Sequence, residues 1–365
     1  MKKTVRIGII GCGVIAPSHI ESYQLDPNVK VVWACDLVKA KADAIADKYG
    51  IPKRTSSAAE VFADPTVDAV SVCTSHYTHA ALCVAALAAG KDVICEKALT
   101  GSPADLAKML KAADTHPDRI FAGIFQHRYN PIFQCLRDLV AKGAFGKPIS
   151  AVMQHRGLRT PNYYNSDDWR GTWKKEGGGV LINQAIHYLD LFQWVMGGVR
   201  DVEAFFTNAA LKKCIETEDT IVGAVRFKNG ALGTIEATNA AFIPWETTLE
   251  ITGTDGAVEI RDGQIRKNAF RNPAFADELA AAHEAASRRN VGKIGKNYYG
   301  YGHPIQIADF VKSIRTRKPP FVTVRDAAEA PALVMKFYKA ARRNSPKGPG
   351  GRKSRNIKDP NGPIY

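Results

Sequence analysis

No stretch of the 365-residue sequence approaches the ~20 apolar residues that a membrane-spanning helix needs, so an integral helical membrane protein is excluded. Cysteine is sparse. The seven, at 12, 35, 73, 83, 95, 135 and 214, are odd in number, unevenly spaced and mostly set in apolar runs. That excludes a disulfide framework and leads us to expect reduced, buried thiols in a cytoplasmic protein. Metal-ligand spacings of the His-x3-His or Cys-x2-Cys type are missing, and no metal is expected. Internal repeats are absent. Acidic residues are short, 36 against 50 Lys and Arg, for a net charge of +14. Much of the excess sits in Arg342, Arg343, Lys347, Arg352, Lys353, Arg355 and Lys358, within a Gly/Pro-rich end. No aromatic-rich or helix-turn-helix pattern accompanies that charge. A solvated tail, or an arm around a neighbouring subunit, is therefore expected rather than nucleic-acid binding. The basic, then apolar, start resembles a secretory leader, but Arg6, three glycines and Pro17 break it.

What is present is 45% hydrophobic residues and enough length for two domains with their own cores. Over the first 125 residues, short β-branched runs alternate with helical patterns, the signature of βαβ units on a parallel sheet. Strands are expected at 5–10, 29–35, 69–73, 92–95 and 120–125. Helices are expected from the glycines after 10 to about Leu25 and at 39–48, 58–62, 78–89 and 103–113. From about residue 148 the pattern changes to short alternating runs at 148–155, 201–207, 220–227, 231–238, 247–252 and 257–261. Asn229-Gly230 and Thr254-Asp255-Gly256 mark hairpins, which together read as a mostly antiparallel sheet. A helix is expected at 183–196, and two more at 304–315 and 325–342 that return to the first domain. The charged, Ala-rich stretch 268–297 reads as a surface helix or an excursion. The expected division is 1–125, 126–343 and a basic tail at 344–365.

Chemistry concentrates in three places. Gly11-Cys12-Gly13-Val14-Ile15-Ala16 follows a strand and opens a helix. Gly11 permits the tight turn, Gly13 lets backbone approach a pyrophosphate, and Ala16 keeps helix and strand close, with the helix N-terminus supplying N–H groups. Asp36 ends the second strand, where a carboxylate accepts from the adenosine ribose and repels a 2′-phosphate. Leu37 and Val38 follow, with no arginine to receive that phosphate, so NAD is expected as cofactor rather than NADP. Glu96-Lys97 lies just past a strand, at the sheet edge where ligands sit. Lys97 either steadies a developing alkoxide or is a solvated lysine paired with Glu96. The Gly177-Gly178-Gly179 run leads to Asn183, Gln184 and His187, neighbours on one helix. His187 is either a proton carrier or a structural histidine bonded to backbone.

Taken in order, Gly11–Ala16, Asp36, Glu96-Lys97, Arg128-Tyr129-Asn130-Pro131, Trp169-Arg170-Gly171 and the triple-glycine helix with His187 resemble the glucose–fructose oxidoreductase/inositol dehydrogenase (Gfo/Idh/MocA) family over about residues 4–343. The resemblance implies an α/β protein: an N-terminal Rossmann domain, then an α/β domain with a large, mostly antiparallel open sheet that makes subunit contacts in a homo-dimer or homo-tetramer. It implies a catalytic pair, Lys97 and His187. It also implies cofactor contacts from Thr74, Ser75, His79, Glu96 and Gln126, and from Trp169 and Arg170 of the second domain. Two departures stand out. The usual Glu-Lys-Pro is Glu96-Lys97-Ala98, which frees the turn, and the frequent aspartate four residues before the histidine is Asn183. Asparagine cannot accept a proton, so acid/base duty falls on His187 and Asn183 orients the substrate. His155, Arg156 and Tyr164 are expected sugar contacts. The expected activity is NAD-dependent hydride transfer with a secondary hydroxyl of a sugar, sugar derivative or polyol, with a lean to a sugar 3-hydroxyl. The alternatives are net hydrolysis or isomerisation on a tightly held, recycled NAD, and a non-catalytic NAD-binding protein.

Overall fold

The computed structural model describes residues 4–288, 302–345 and 348–350. The chain divides into two compact units: residues up to Tyr129 with Gly302–Glu329, and Asn130–Arg288 continuing from Ala330. In the first, β1 (Val5–Ile10), β2 (Val29–Cys35), β3 (Lys53–Thr55), β4 (Ala69–Val72), β5 (Asp92–Cys95) and β6 (Phe121–Gly123) form a parallel sheet in the order β3-β2-β1-β4-β5-β6. Helices α1 (Ala16–Gln24), α2 (Lys39–Tyr49), α3 (Ala58–Ala63), α4 (His76–Ala88) and α5 (Pro103–Thr115) connect them. β4 and β5 are buried at every position, as strands covered on both faces must be. β3 was not expected: its three residues are polar and lie at the sheet edge, so they carry no apolar pattern.

The second unit opens with α6 (Pro131–Ala141) and β7 (Pro148–Arg156), then α7 (Pro161–Asn165), α8 (Val180–Asn183) and α9 (Ile186–Val195). Strands β8 (Val199–Thr207), β9 (Thr220–Phe227), β10 (Leu232–Thr238), β11 (Thr248–Gly253), β12 (Gly256–Arg261) and β13 (Gln264–Phe270) follow, and then α10 (Ala274–Ser287). The seven-stranded sheet runs β13-β12-β11-β7-β10-β9-β8, antiparallel except where β10 pairs with β7. β13 is a largely exposed edge strand without an apolar pattern, and only its last three residues fall in the charged stretch at 268–297. The helix in that stretch is α10, and 289–297 lie outside the described residues. One face of the sheet is covered: a Cβ at Gly233 would lie 2.8 Å from Phe192 of α9. On the other face Phe205, Val222 and Leu232 are exposed.

The late helices part company. α11 (Gly302–Thr316) packs Ile307, Phe310, Val311 and Ile314 into the first unit's core with Ile20 and Tyr23 of α1. In α12 (Val324–Asn344) only the first turns, up to Glu329, belong to that unit. The expected return of the whole helix is therefore corrected: its aromatic half packs in the second unit, with Tyr338 against Trp173, ring centroids 5.2 Å apart. Among the described residues no helix is long and apolar enough to cross a membrane.

Candidate active site

The strand register of the first unit brings its site residues to one sheet edge. Ile10 pairs with Cys35 on one side and Val72 on the other, and Val72 pairs with Cys95. The turns carrying Gly11–Ala16, Asp36, Thr74–Ser75 and Glu96–Lys97 therefore emerge together at the C-terminal edge, beside the 3-10 turn Gln126–Tyr129. Gly11 has φ +95°, and a Cβ there would sit 2.6 Å from the Cys73 carbonyl, while a Cβ at Gly13 would meet nothing within 4 Å. Ile15, the N-cap residue of α1, makes no side-chain cap. Asp36 already braces this turn: its Oδ2 accepts from Cys12 N at 2.9 Å and its Oδ1 from Val38 N at 2.8 Å. Burial pushes the Cys12 thiol up to about 12, so it stays protonated beside that carboxylate. A glycine turn with open space, a helix whose N-cap residue makes no side-chain cap and a carboxylate at the next strand end fit a dinucleotide.

Next to it, Glu96 is buried. Its Oε1 accepts from Nε2 of His19 at 2.9 Å and of His303 at 3.3 Å, and its Oε2 accepts from Lys97 N at 3.0 Å. Burial alone would raise this carboxyl; the two histidine hydrogen bonds outweigh it and hold it well below the usual carboxylate range. Burial keeps His19 neutral, with Nδ1 3.3 Å from Ser71 Oγ, which in turn lies 2.8 Å from the Tyr23 hydroxyl. His19, Glu96 and His303 also converge closely enough for a metal ion. Their ring-to-carboxylate distances are those of hydrogen bonds, and with Glu96 as the shared acceptor the cluster is self-consistent. The Lys97–Ala98 peptide is cis. The turn is not freed by the missing proline: Ala98 N donates to His76 Nε2 at 3.3 Å, and Ala98 O faces His79 Nδ1 at 2.9 Å. His79 needs correction as a cofactor contact. It is fully buried, with both ring nitrogens on backbone carbonyls, Ala98 O and Thr74 O, and so ties two edge turns together.

In the second unit the triple glycine is explained by close approach. A Cβ on Gly178 would lie 2.0 Å from the Tyr338 hydroxyl, and one on Gly179 2.0 Å from the Glu218 carbonyl. The buried Glu218 carboxylate accepts from Gly179 N (2.9 Å), Leu181 N (3.1 Å) and the Tyr338 hydroxyl (2.7 Å), capping α8 from across the chain. The expected single helix at 183–196 is in fact α8 and α9, broken at Gln184-Ala185. Asn183 therefore ends one helix and His187 lies in the first turn of the next. Asn183 Nδ2 donates to the buried carboxylate of Glu176, which also accepts from Gly171 N. Gln184 Nε2 reaches the Tyr163 hydroxyl at 2.8 Å, and its Oε1 accepts from Asn239 at 2.8 Å. Arg170 stacks on Trp169 and Tyr163, its charge held by Asp167 at 3.0 Å.

Two expected sugar contacts are overturned. Tyr164 is core, packed with Leu211, Cys214 and Ile215, its hydroxyl accepting from Asn239. On the short α7 consecutive residues diverge, so Tyr163, not Tyr164, joins Asn183 and Gln184; the Tyr163-Tyr164 pair offered no way to choose. Arg156 pairs with Thr238 and so shares the open sheet face with Glu236, to which it is ion-paired at 2.5 Å. His155, one residue earlier, takes the covered face, and burial together with Arg159 pushes it down to about 4. Glu176 and Arg159 were not singled out, having no motif to mark them.

This is the architecture of an NAD-binding oxidoreductase. Residues 5–124 match the oxidoreductase family with an NAD-binding Rossmann fold, and 133–259 match the Gfo/Idh/MocA C-terminal domain. The chain belongs to the Gfo/Idh/MocA family. It is 30% identical to a 1,5-anhydro-D-fructose reductase of Ensifer adhaerens over 72% of this chain and 77% of that one. A myo-inositol 2-dehydrogenase of Thermotoga maritima is 26% identical over 89% and 93% of the two chains. The WlbA dehydrogenase of Bordetella pertussis, solved with NADH and UDP-GlcNAcA, superposes with a TM-score of 0.85 at 28% identity, covering 94% of this chain and 96% of that one.

Proposed function

We propose that this enzyme oxidises a secondary hydroxyl of a sugar, sugar derivative or polyol, or reduces the corresponding ketone, with the 3-hydroxyl of a sugar as the favoured position. The observation that carries the reading is the shared sheet edge, where the Lys97 turn emerges beside the dinucleotide turn. NAD, when bound, supplies the hydride acceptor. In this reading Lys97 donates a hydrogen bond to the hydroxyl oxygen as negative charge develops there. His187 takes the hydroxyl proton, and Asn183, its amide directed by Glu176, holds a neighbouring hydroxyl. Trp169 and Arg170 serve the cofactor from the second unit. The lean to the 3-hydroxyl rests on the Asn183-Gln184-Ala185-Ile186-His187 sequence, similar to that of relatives acting on sugars and nucleotide sugars.

The test is NADH formation by purified protein with NAD and a panel of sugars, polyols and nucleotide-linked sugar acids, UDP-GlcNAcA first among them. His187→Ala and Lys97→Ala should each lower kcat by about 10²–10⁴-fold while NAD binding persists. Turnover that survives both substitutions would sink the assignment. A tightly held cofactor with a keto-sugar intermediate and no net NADH would favour the recycled-cofactor alternative.

A further inference from the structure

Three arginines lie on β7 or between it and α8. Arg156 is ion-paired to Glu236 and Arg170 to Asp167. Arg159 is half-buried, and among the described residues no carboxylate lies within ion-pair distance of it. Its contacts are the Leu158 carbonyl, at 2.9 Å from Nη1, and the Tyr163 ring, 5.2 Å from guanidinium carbon to centroid. The nearby carboxylates are engaged elsewhere, Asp167 by Arg170 and Glu176 by Asn183 and Gly171 N. Tyr163 locates this charge. The Tyr163 hydroxyl receives Gln184 Nε2 and lies 3.4 Å from Asn183 Nδ2, so Arg159 belongs to the side-chain cluster around Asn183 and Gln184. Arg159 also bears on His155, which lies on the covered face of the sheet and stays neutral.

A guanidinium over an aromatic ring keeps N–H groups available, and a partly desolvated one without a counter-charge favours a planar anion that takes two N–H groups at once. We propose that Arg159 is a substrate subsite for a carboxylate, so that the enzyme acts on acidic sugars of the uronic-acid class. This rests on the sugar-oxidoreductase reading, in which Asn183 meets the substrate, for its location, and on the unmatched guanidinium for its chemistry.

The experiment compares matched pairs, glucuronate with glucose and UDP-glucuronate with UDP-glucose, on NAD-loaded protein. Both calorimetric binding and NADH formation are recorded for wild type, Arg159→Met and Arg159→Lys. A charge-assisted pair predicts that wild type binds the acid of each pair at least about tenfold more tightly than its neutral counterpart. Arg159→Met should weaken the acid of each pair by far more than its neutral counterpart and so remove the preference, and Arg159→Lys should restore it only in part, since an ammonium lacks the fork. Equal affinity of wild type for acid and neutral sugar, or an equal loss for both in Arg159→Met, overturns the subsite. Both variants are first checked for a wild-type melting temperature. The two readings fail separately. Acid-selective binding abolished by Arg159→Met, without NADH formed from any sugar, supports the subsite and removes the hydride-transfer assignment. Turnover without acid preference does the reverse.

Discussion

Replacing Glu218 by glutamine tests the cap on α8 through its dependence on pH. Burial pushes the Glu218 carboxyl from its ordinary 4.5 up to about 7, against the pull of the Tyr338 hydroxyl and the Leu181 and Gly179 N–H groups. The folded state thus holds this proton more tightly than the unfolded one. Its contribution to stability is complete below about 4.5 and is lost as pH rises through about 7. The span is about 2.5 pH units, which at ~1.4 kcal/mol per unit is about 3 kcal/mol. Glutamine has no such dependence. It keeps one carbonyl oxygen for Tyr338 and Leu181, but turns an NH2 toward the Gly179 N–H, at a cost of roughly 1–3 kcal/mol. Near pH 5 the variant should therefore be the less stable protein by roughly that amount, and by about pH 8 the gap should close or reverse. Urea unfolding followed by tryptophan fluorescence reads this, because Trp173 lies against Tyr338, the donor to Glu218. A gap of the same size at both pH values, or a wider one at the higher, refutes the reasoning. It would mean that the three donors keep Glu218 ionised throughout.

Glu96 should show the opposite sign. Held well below the carboxylate range, it contributes stability above its ordinary value of 4.5 that is lost as pH falls through its folded value. Glu96→Gln should cost roughly 2–4 kcal/mol at neutral pH by weakening charge-assisted bonds from His19 and His303, and the gap to wild type should narrow on acidification; a gap that stays constant would show Glu96 protonated in the fold. The open sheet face, with Phe205, Val222 and Leu232 exposed, is proposed as the self-association surface of a homo-dimer or homo-tetramer. Sedimentation should find an oligomer that Val222→Glu dissociates, and a wild-type monomer would reject this.

Most of the first unit was legible in the sequence because its strands are buried on both faces and each helix is set off by local signals. The dinucleotide turn was legible for the same kind of reason: Gly11, Gly13, Ala16 and Asp36 act through backbone geometry and a strand end, and both are encoded within a few residues. The sequence by itself determined the family, the cofactor and the pairing of Lys97 with His187 as candidates. Long-range contacts decided the rest. Whether Tyr163 or Tyr164 joins the site depends on which one Leu211 and Ile215 cover. Whether Arg156 or His155 faces the helices depends on the pleat of β7, where one residue of phase exchanges the two faces of the sheet. The break between Asn183 and His187 is invisible in helical periodicity, because α8 is capped by Glu218, 39 residues beyond Gly179. His79 and Glu96 show the same limit. Their residue types suggest chemistry, and only the packing of neighbouring turns shows that backbone carbonyls hold one and two histidines hold the other.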